Sequence, residues 1–216
     1  MGPRFPFMSS SRFDQSACDQ LAECVREIET DTDAELVRVV RSFSGSYRHV
    51  DYVCGALLAY AGLLFLLFAP WTFAHYWVAI DVALLFALGF YLSSRSARLR
   101  RLLTTKKERA DAVRAGAAAM FYEAGIANTA SEMGVLIYLS LLERRLELIA
   151  DRGVLKAAPP LEWNDRLFEL HQAGRRPHLP GLLKALRELG ALLKKCLPPT
   201  GQNPNELSDT PRFDLR

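Results

Sequence analysis

The chain has 216 residues, 24% of them charged, and a formal net charge of +3. Its four cysteines, Cys18, Cys24, Cys54 and Cys196, show no CxxC or metal-ligand spacing, which argues against a disulfide framework and fits free thiols in a reducing compartment. The histidines His49, His75, His171 and His178 show no ligand spacing either, and there is no Walker loop, GxSxG, HExxH or Rossmann glycine fingerprint.

Residues 1–14 are polar, lack an apolar signal core and carry no myristoylation pattern, so a flexible amino terminus is expected. From Gln15 to Glu29, Ala17, Leu21, Cys24, Val25 and Ile28 recur at helical spacing, with Asp14 as N-cap. Asp31-Thr32-Asp33 ends that helix. Glu35 to Arg41 is short and β-branched and reads as a strand. Tyr52 to Ala69 and Trp71 to Leu92 are then almost unbroken apolar runs, separated at Pro70. Each is long enough for a helix crossing a hydrocarbon layer ~30 Å thick.

Charge placement orients this pair. Arg95, Arg98, Arg100, Arg101, Lys106 and Lys107 crowd just after it, Arg38, Arg41, Arg48 and His49 precede it, and the connection at Pro70, Trp71 and Thr72 is uncharged. The positive-inside rule puts both flanks in the cytoplasm and the tip outside. The basic run lacks interleaved aromatics, so it reads as a topology signal and a contact for anionic lipid, not for nucleic acid.

Beyond the hairpin, Lys106 to Ala124 reads as an amphipathic helix with Gly125 as its C′ residue. Gly134 to Leu141 reads as a buried strand and Glu143-Arg144 as a turn. Arg145 to Ala150 alternates as a half-buried strand does. Two helices follow, Leu161 to Ala173 and Leu179 to Cys196, divided by the Gly-, Pro- and Arg-rich segment from Gly174 to Pro180. Residues 198–216 are expected to be disordered. The organisation is a small α/β sandwich in two parts, residues 15–49 and 94–197, interrupted at 50–93 by a transmembrane hairpin.

Three groups of residues are candidates for function. Asp151 and Arg152 stand at a strand end, where α/β folds place ligands, and Glu35 reaches the same rim if its strand is adjacent. Against this, Asp151 also reads as a helix or turn cap. Asp81 lies ~10 residues from the hairpin tip, near the bilayer centre, where an ionised carboxylate costs at least ~2.5–3.5 kcal/mol. Tyr60 lies at the same depth and offers a hydrogen bond. Alternatively, if the small residues Gly55, Ala59 and Gly62 meet Ala79, Ala83 and Ala87, Asp81 faces away, toward another subunit or a partner protein. The third group is the basic cluster named above.

The strand pair Gly134 to Leu139 and Leu146 to Gly153 with its turn, the entry strand Asp33 to Val40, and His171-Gln172-Ala173-Gly174 before Leu182 to Leu193 together resemble the TPM-domain family. The likeness covers roughly residues 15–49 and 105–197, in the bacterial branch that carries two membrane helices after the first strand. It implies a three-layer α/β/α fold at the bacterial inner membrane. It also implies divalent-metal binding (Ca or Mg), phosphatase activity, or assembly and repair of membrane complexes. The residues themselves supply no clustered carboxylates and no nucleophile paired with Arg, as phosphoryl chemistry requires. The expected function is therefore a non-catalytic, membrane-anchored interaction or assembly module whose partners are lipid and a membrane protein or a second copy. A tethered metal-dependent phosphatase is the alternative.

Overall fold

The computed structural model describes residues 15–70, 75–129, 131–175, 178–200 and 212–214. The predicted flexible start, the Asp14 cap and the Trp71-Thr72 connection lie outside them. The described residues divide into two compact units, those of 45–109 and those of 15–44 with 110–214.

The second unit is a mixed α/β structure. Helix α1 (Gln15–Thr30) leads to β1 (Glu35–Arg41). After the residues of the first unit come β2 (Gly134–Ser140) and β3 (Arg145–Ala150). β1 runs parallel to β2, with Glu35 opposite Gly134, and β2 runs antiparallel to β3. Such a parallel pair needs a long crossover, because the chain must return to its starting end before β2 begins. Arg212–Asp214 forms β4 beside β1, where no element was expected, and the sheet order is β3-β2-β1-β4.

The period-two side-chain pattern divides the sheet into two faces. Leu36, Val40, Val135, Ile137, Leu139, Leu146 and Leu148 share one apolar cluster with α1, with the stripe of Leu182, Leu186, Leu189 and Leu193, and with Trp163 and Leu170. That leucine stripe belongs to the helix Leu179–Cys196, and each fully buried leucine contributes roughly 1.5–3 kcal/mol. The opposite face places Val37, Val39, Leu136 and Tyr138 against Val113, Ala117, Met120 and Phe121 of the helix Lys106–Glu123. Gly125 follows that helix at φ 77°, the left-handed backbone its C′ position requires.

The first unit contains α2 (Arg48–Phe68), α3 (His75–Arg95) and the short α4 (Ala97–Leu103). With these, the helices Lys106–Glu123, Arg152–Ala157, Pro160–Arg175 and Leu179–Cys196 become α5 to α8. Helix α7 runs through Gly174, which was expected to break it. A Cβ on Gly174 would stand 2.6 Å from the Leu146 backbone nitrogen, so the glycine lets α7 lie against β3. In α2 and α3 the close approach is at Gly55 and Gly89, where a Cβ on Gly89 would meet the Cys54 carbonyl at 2.9 Å. Ala79, Ala83 and Ala87 are all exposed. The two small-residue stripes therefore do not meet: α3 presents Leu85, Phe86 and Gly89 to α2 instead.

Candidate functional site

The sequence-predicted rim comes together only in part, and at the unexpected end of the sheet. Asp151 follows β3, but β3 is antiparallel, so this is the amino end of β1 and β2. Ligand crevices of α/β folds lie beyond the carboxyl ends. Asp151 caps α6, its carboxylate accepting from the Arg152 N–H at 2.7 Å, while Arg152 itself is exposed. Glu35 is buried at the start of β1, and β2 lies between it and Asp151, which puts the two backbones about 10 Å apart. Among the described residues, no three His, Cys, Asp or Glu side chains are grouped to hold a metal ion. Asp151 thus takes the cap role that the sequence also offered, and Glu35 lies apart from it at the start of β1.

The hairpin candidates also shift. Neither Tyr60 nor Asp81 has a hydrogen-bond or ion-pair partner among the described residues. Tyr60 is 61% exposed, so the internal Tyr60–Asp81 bond is not formed. Asp81 is half-buried, on the side of α3 opposite the exposed alanines. Of the basic cluster, Arg95, Arg98, Lys106 and Lys107 are exposed as expected. Arg101 is half-buried, and its carbonyl accepts a hydrogen bond from Arg109.

Arg100 leaves the lipid-facing set altogether. Its Nε and Nη2 donate to the two oxygens of Asp51 at 3.1 and 2.6 Å, and Ser93 Oγ donates to Asp51 Oδ1 at 2.8 Å. Asp51 is 1% exposed and Ser93 fully buried. This fork joins α2, α3 and α4 and was not foreseen. The Asp51 partners Ser93 and Arg100 lie 42 and 49 residues away in the chain, beyond any local pattern.

At the carboxyl ends of β1 and β2 lies a polar cluster that the sequence reading missed. Ser44 Oγ sits 2.9 Å from both the Tyr138 hydroxyl and Ser140 Oγ, Ser140 donates to Glu143, and the Ser44 N–H donates to the other Glu143 oxygen at 2.8 Å. Arg144, in the left-handed region at φ 51°, makes the predicted turn tight enough to aim Glu143 back at Ser140. The ladder continues through this region, with Leu141 N–H donating to Arg41 and Leu142 N–H to Ser42. Tyr138, Ser140 and Glu143 are buried. These groups satisfy one another, so the cluster works as a clamp that fixes residues 42–44 to the β2–β3 turn. The available signal was alternation alone, since Tyr138 and Ser140 share a strand face.

Opposite Tyr138 on the same face is Glu147. Its carboxylate meets His171 Nε2 of α7 at 3.2 Å and lies 3.6 Å from Arg145 Nη2. Burial alone would raise its pKa, but the hydrogen bond and charge of His171, with Arg145 and Arg114, hold it below the usual glutamate range. The unfolded chain then binds the proton more tightly than the folded one. The stabilisation is present above the unfolded value of about 4.3 and is lost as pH falls through the lowered folded value. Glu147→Gln is expected to lower stability at pH 7 and to flatten the loss of stability below about pH 5, as read from thermal unfolding across pH.

No family model matches the chain, and no curated protein matches it. Among solved structures it is similar to the NMR structure of BA42 protein from the psychrophilic bacteria Bizionia argentinensis sp. nov., at 13% sequence identity. That match covers 93% of this chain and 94% of the other, with a TM-score of 0.54. At this identity, the likeness bears on the fold alone.

Proposed function

We propose that the chain is a membrane-anchored, non-catalytic interaction or assembly module. In this reading α2 and α3 form a transmembrane hairpin, and the mixed α/β unit is a three-layer α/β/α domain of TPM type on the cytoplasmic side of a bacterial inner membrane. One observation carries it: α2 and α3 turn their apolar side chains outward. Leu57, Phe65, Leu67, Phe68, Trp77 and Leu84 are 54–83% exposed. The apolar windows of the two helices have mean hydropathy 1.9 and 1.7, yet only 22% and 11% of each is buried. In water, such a surface would be an aggregation hazard, whereas in hydrocarbon it is solvated. The non-catalytic part of the reading is supported by the mutual hydrogen bonding of Ser44, Tyr138, Ser140 and Glu143 at the carboxyl ends of β1 and β2. The metal-dependent phosphatase alternative rests on the family resemblance alone.

The test is topological. The full-length chain is expected to stay with membranes through alkaline carbonate washing. Cysteines replacing Arg152 or Lys184 are expected to resist an impermeant maleimide applied to intact cells and to react once the cells are opened. A chain that stays dissolved without detergent, or labelling from outside, overturns the reading.

A further inference from the structure

Helix α4 has a face that none of the described residues covers. Leu99, Leu102 and Leu103 are 37%, 79% and 44% exposed. At about 100° per residue they span an arc of about 100°, and the remaining positions of the helix are Ala97, Arg98, Arg100 and Arg101. A seven-residue helix with this pattern is amphipathic, but its apolar side is turned outward. Its place along the hairpin is set by hydrogen bonds. Asp51 opens α2 and Ser93 closes α3, and their 2.8 Å bond puts both at one end of the hairpin. Arg100, in the middle of α4, reaches the same carboxylate. The helix therefore cannot project away from the hairpin end. Ser96 caps it, accepting from the Leu99 N–H, and is the single residue between α3 and α4.

We infer that α4 is an in-plane interfacial helix, which lays Leu99, Leu102 and Leu103 into the headgroup–acyl boundary of an anionic leaflet. This deepens the membrane reading above and rests on it. The charge around α4 fits that occupant and no apolar protein groove. Exposed Arg98, Lys106 and Lys107 supply cations for lipid phosphate, and Arg95 stacks 5.3 Å from the centre of the Tyr91 ring, a pairing suited to the interface. The Asp51 fork gives α4 its rotational setting. With Arg100 turned to Asp51, the leucine arc is fixed on another side of the helix, and a short helix needs no stability of its own to hold that pose.

The experiment uses the full-length chain with its four native cysteines replaced by alanine, reconstituted in phosphatidylcholine vesicles with 30% phosphatidylglycerol, about one lipid in three. Single cysteines at Leu99, Leu102, Leu103, Arg98, Arg101 and, within the hairpin, Leu84 carry an environment-sensitive fluorophore. Shallow and deep lipid-borne quenchers report depth. The expected result is at least twofold stronger shallow quenching at positions 99, 102 and 103 than at 98 and 101, with deep quenching at 84. Removing the anionic lipid or introducing Arg98→Gln is expected to weaken the signal at 102. Solvent-like spectra at 99, 102 and 103 with deep quenching at 84 overturn the α4 inference and leave the hairpin standing. The same result follows if 102 is shielded only through crosslinking to a second copy. Loss of quenching at 84 as well removes the membrane reading itself.

Discussion

Arg100→Ala is expected to destabilise the first unit by about 3 kcal/mol, the low end for breaking a buried ion pair. The mechanism is the isolation of Asp51. Its side chain is 2% exposed and that of Arg100 19%, so removing the guanidinium leaves a carboxylate with Ser93 as its one remaining side-chain donor among the described residues. The cost of an unpaired buried charge exceeds the value of the pair that is lost, because desolvation persists after the Coulomb attraction is gone. Asp51→Leu combined with Arg100→Leu is therefore expected to recover most of the loss. Thermal unfolding of the full-length chain in mild detergent, in a double-mutant cycle, checks this. A single Arg100→Ala variant within about 0.5 kcal/mol of the parent would show the fork to be solvent-screened.

Glu143→Ala is expected to cost about 3 kcal/mol in the α/β unit. It strands two donors, the Ser44 N–H and the Ser140 hydroxyl, and each buried unsatisfied group costs roughly 1–3 kcal/mol. Glu143→Gln keeps one acceptor oxygen and is expected to recover about half of the loss. Amide hydrogen exchange locates the effect: protection should fall at Ser44, Leu141 and Leu142, which lie on the clamp and its ladder, and persist at Leu136 and Leu189 in the two cores. Uniform loss of protection would mean that the cluster supports the whole sheet and not only the segment it holds.

Much of the fold was legible because it depends on local pattern. The helical spacing of Leu21, Val25 and Ile28, the leucine stripe of α8, and Gly125 as a left-handed stop are properties of short windows of chain. The two apolar runs were legible for the same reason, since length and composition decide whether a helix can cross hydrocarbon. Single positions within these patterns were harder. Gly174 looks like a breaker in isolation, and its helix is continuous because β3 lies close enough to need a residue without a Cβ.

The candidate sites fared worse, and each failure has a geometric cause. Asp151 was open to two readings, a cap and a ligand-rim residue; it caps α6, and the rim rule holds for parallel strands whereas β3 runs the other way. The alanine spacing in α3 was visible, but spacing does not say which face turns inward, and it is Gly89 that meets Gly55. Arg100 was grouped with its exposed neighbours because sequence adjacency hides a partner 49 residues away.

The sequence by itself determined the longer helices, the first three strands and the apolar character of the central pair, because these follow from periodicity and composition over a turn or two, whereas the short α4, α6 and β4 escaped it. Only the tertiary structure decided the partners of Asp51, Glu143 and Glu147, the contact face of α3 and the outward setting of the α4 leucines. Those depend on strand direction and helix rotation, which bring together groups far apart in the chain and which no local window of sequence encodes.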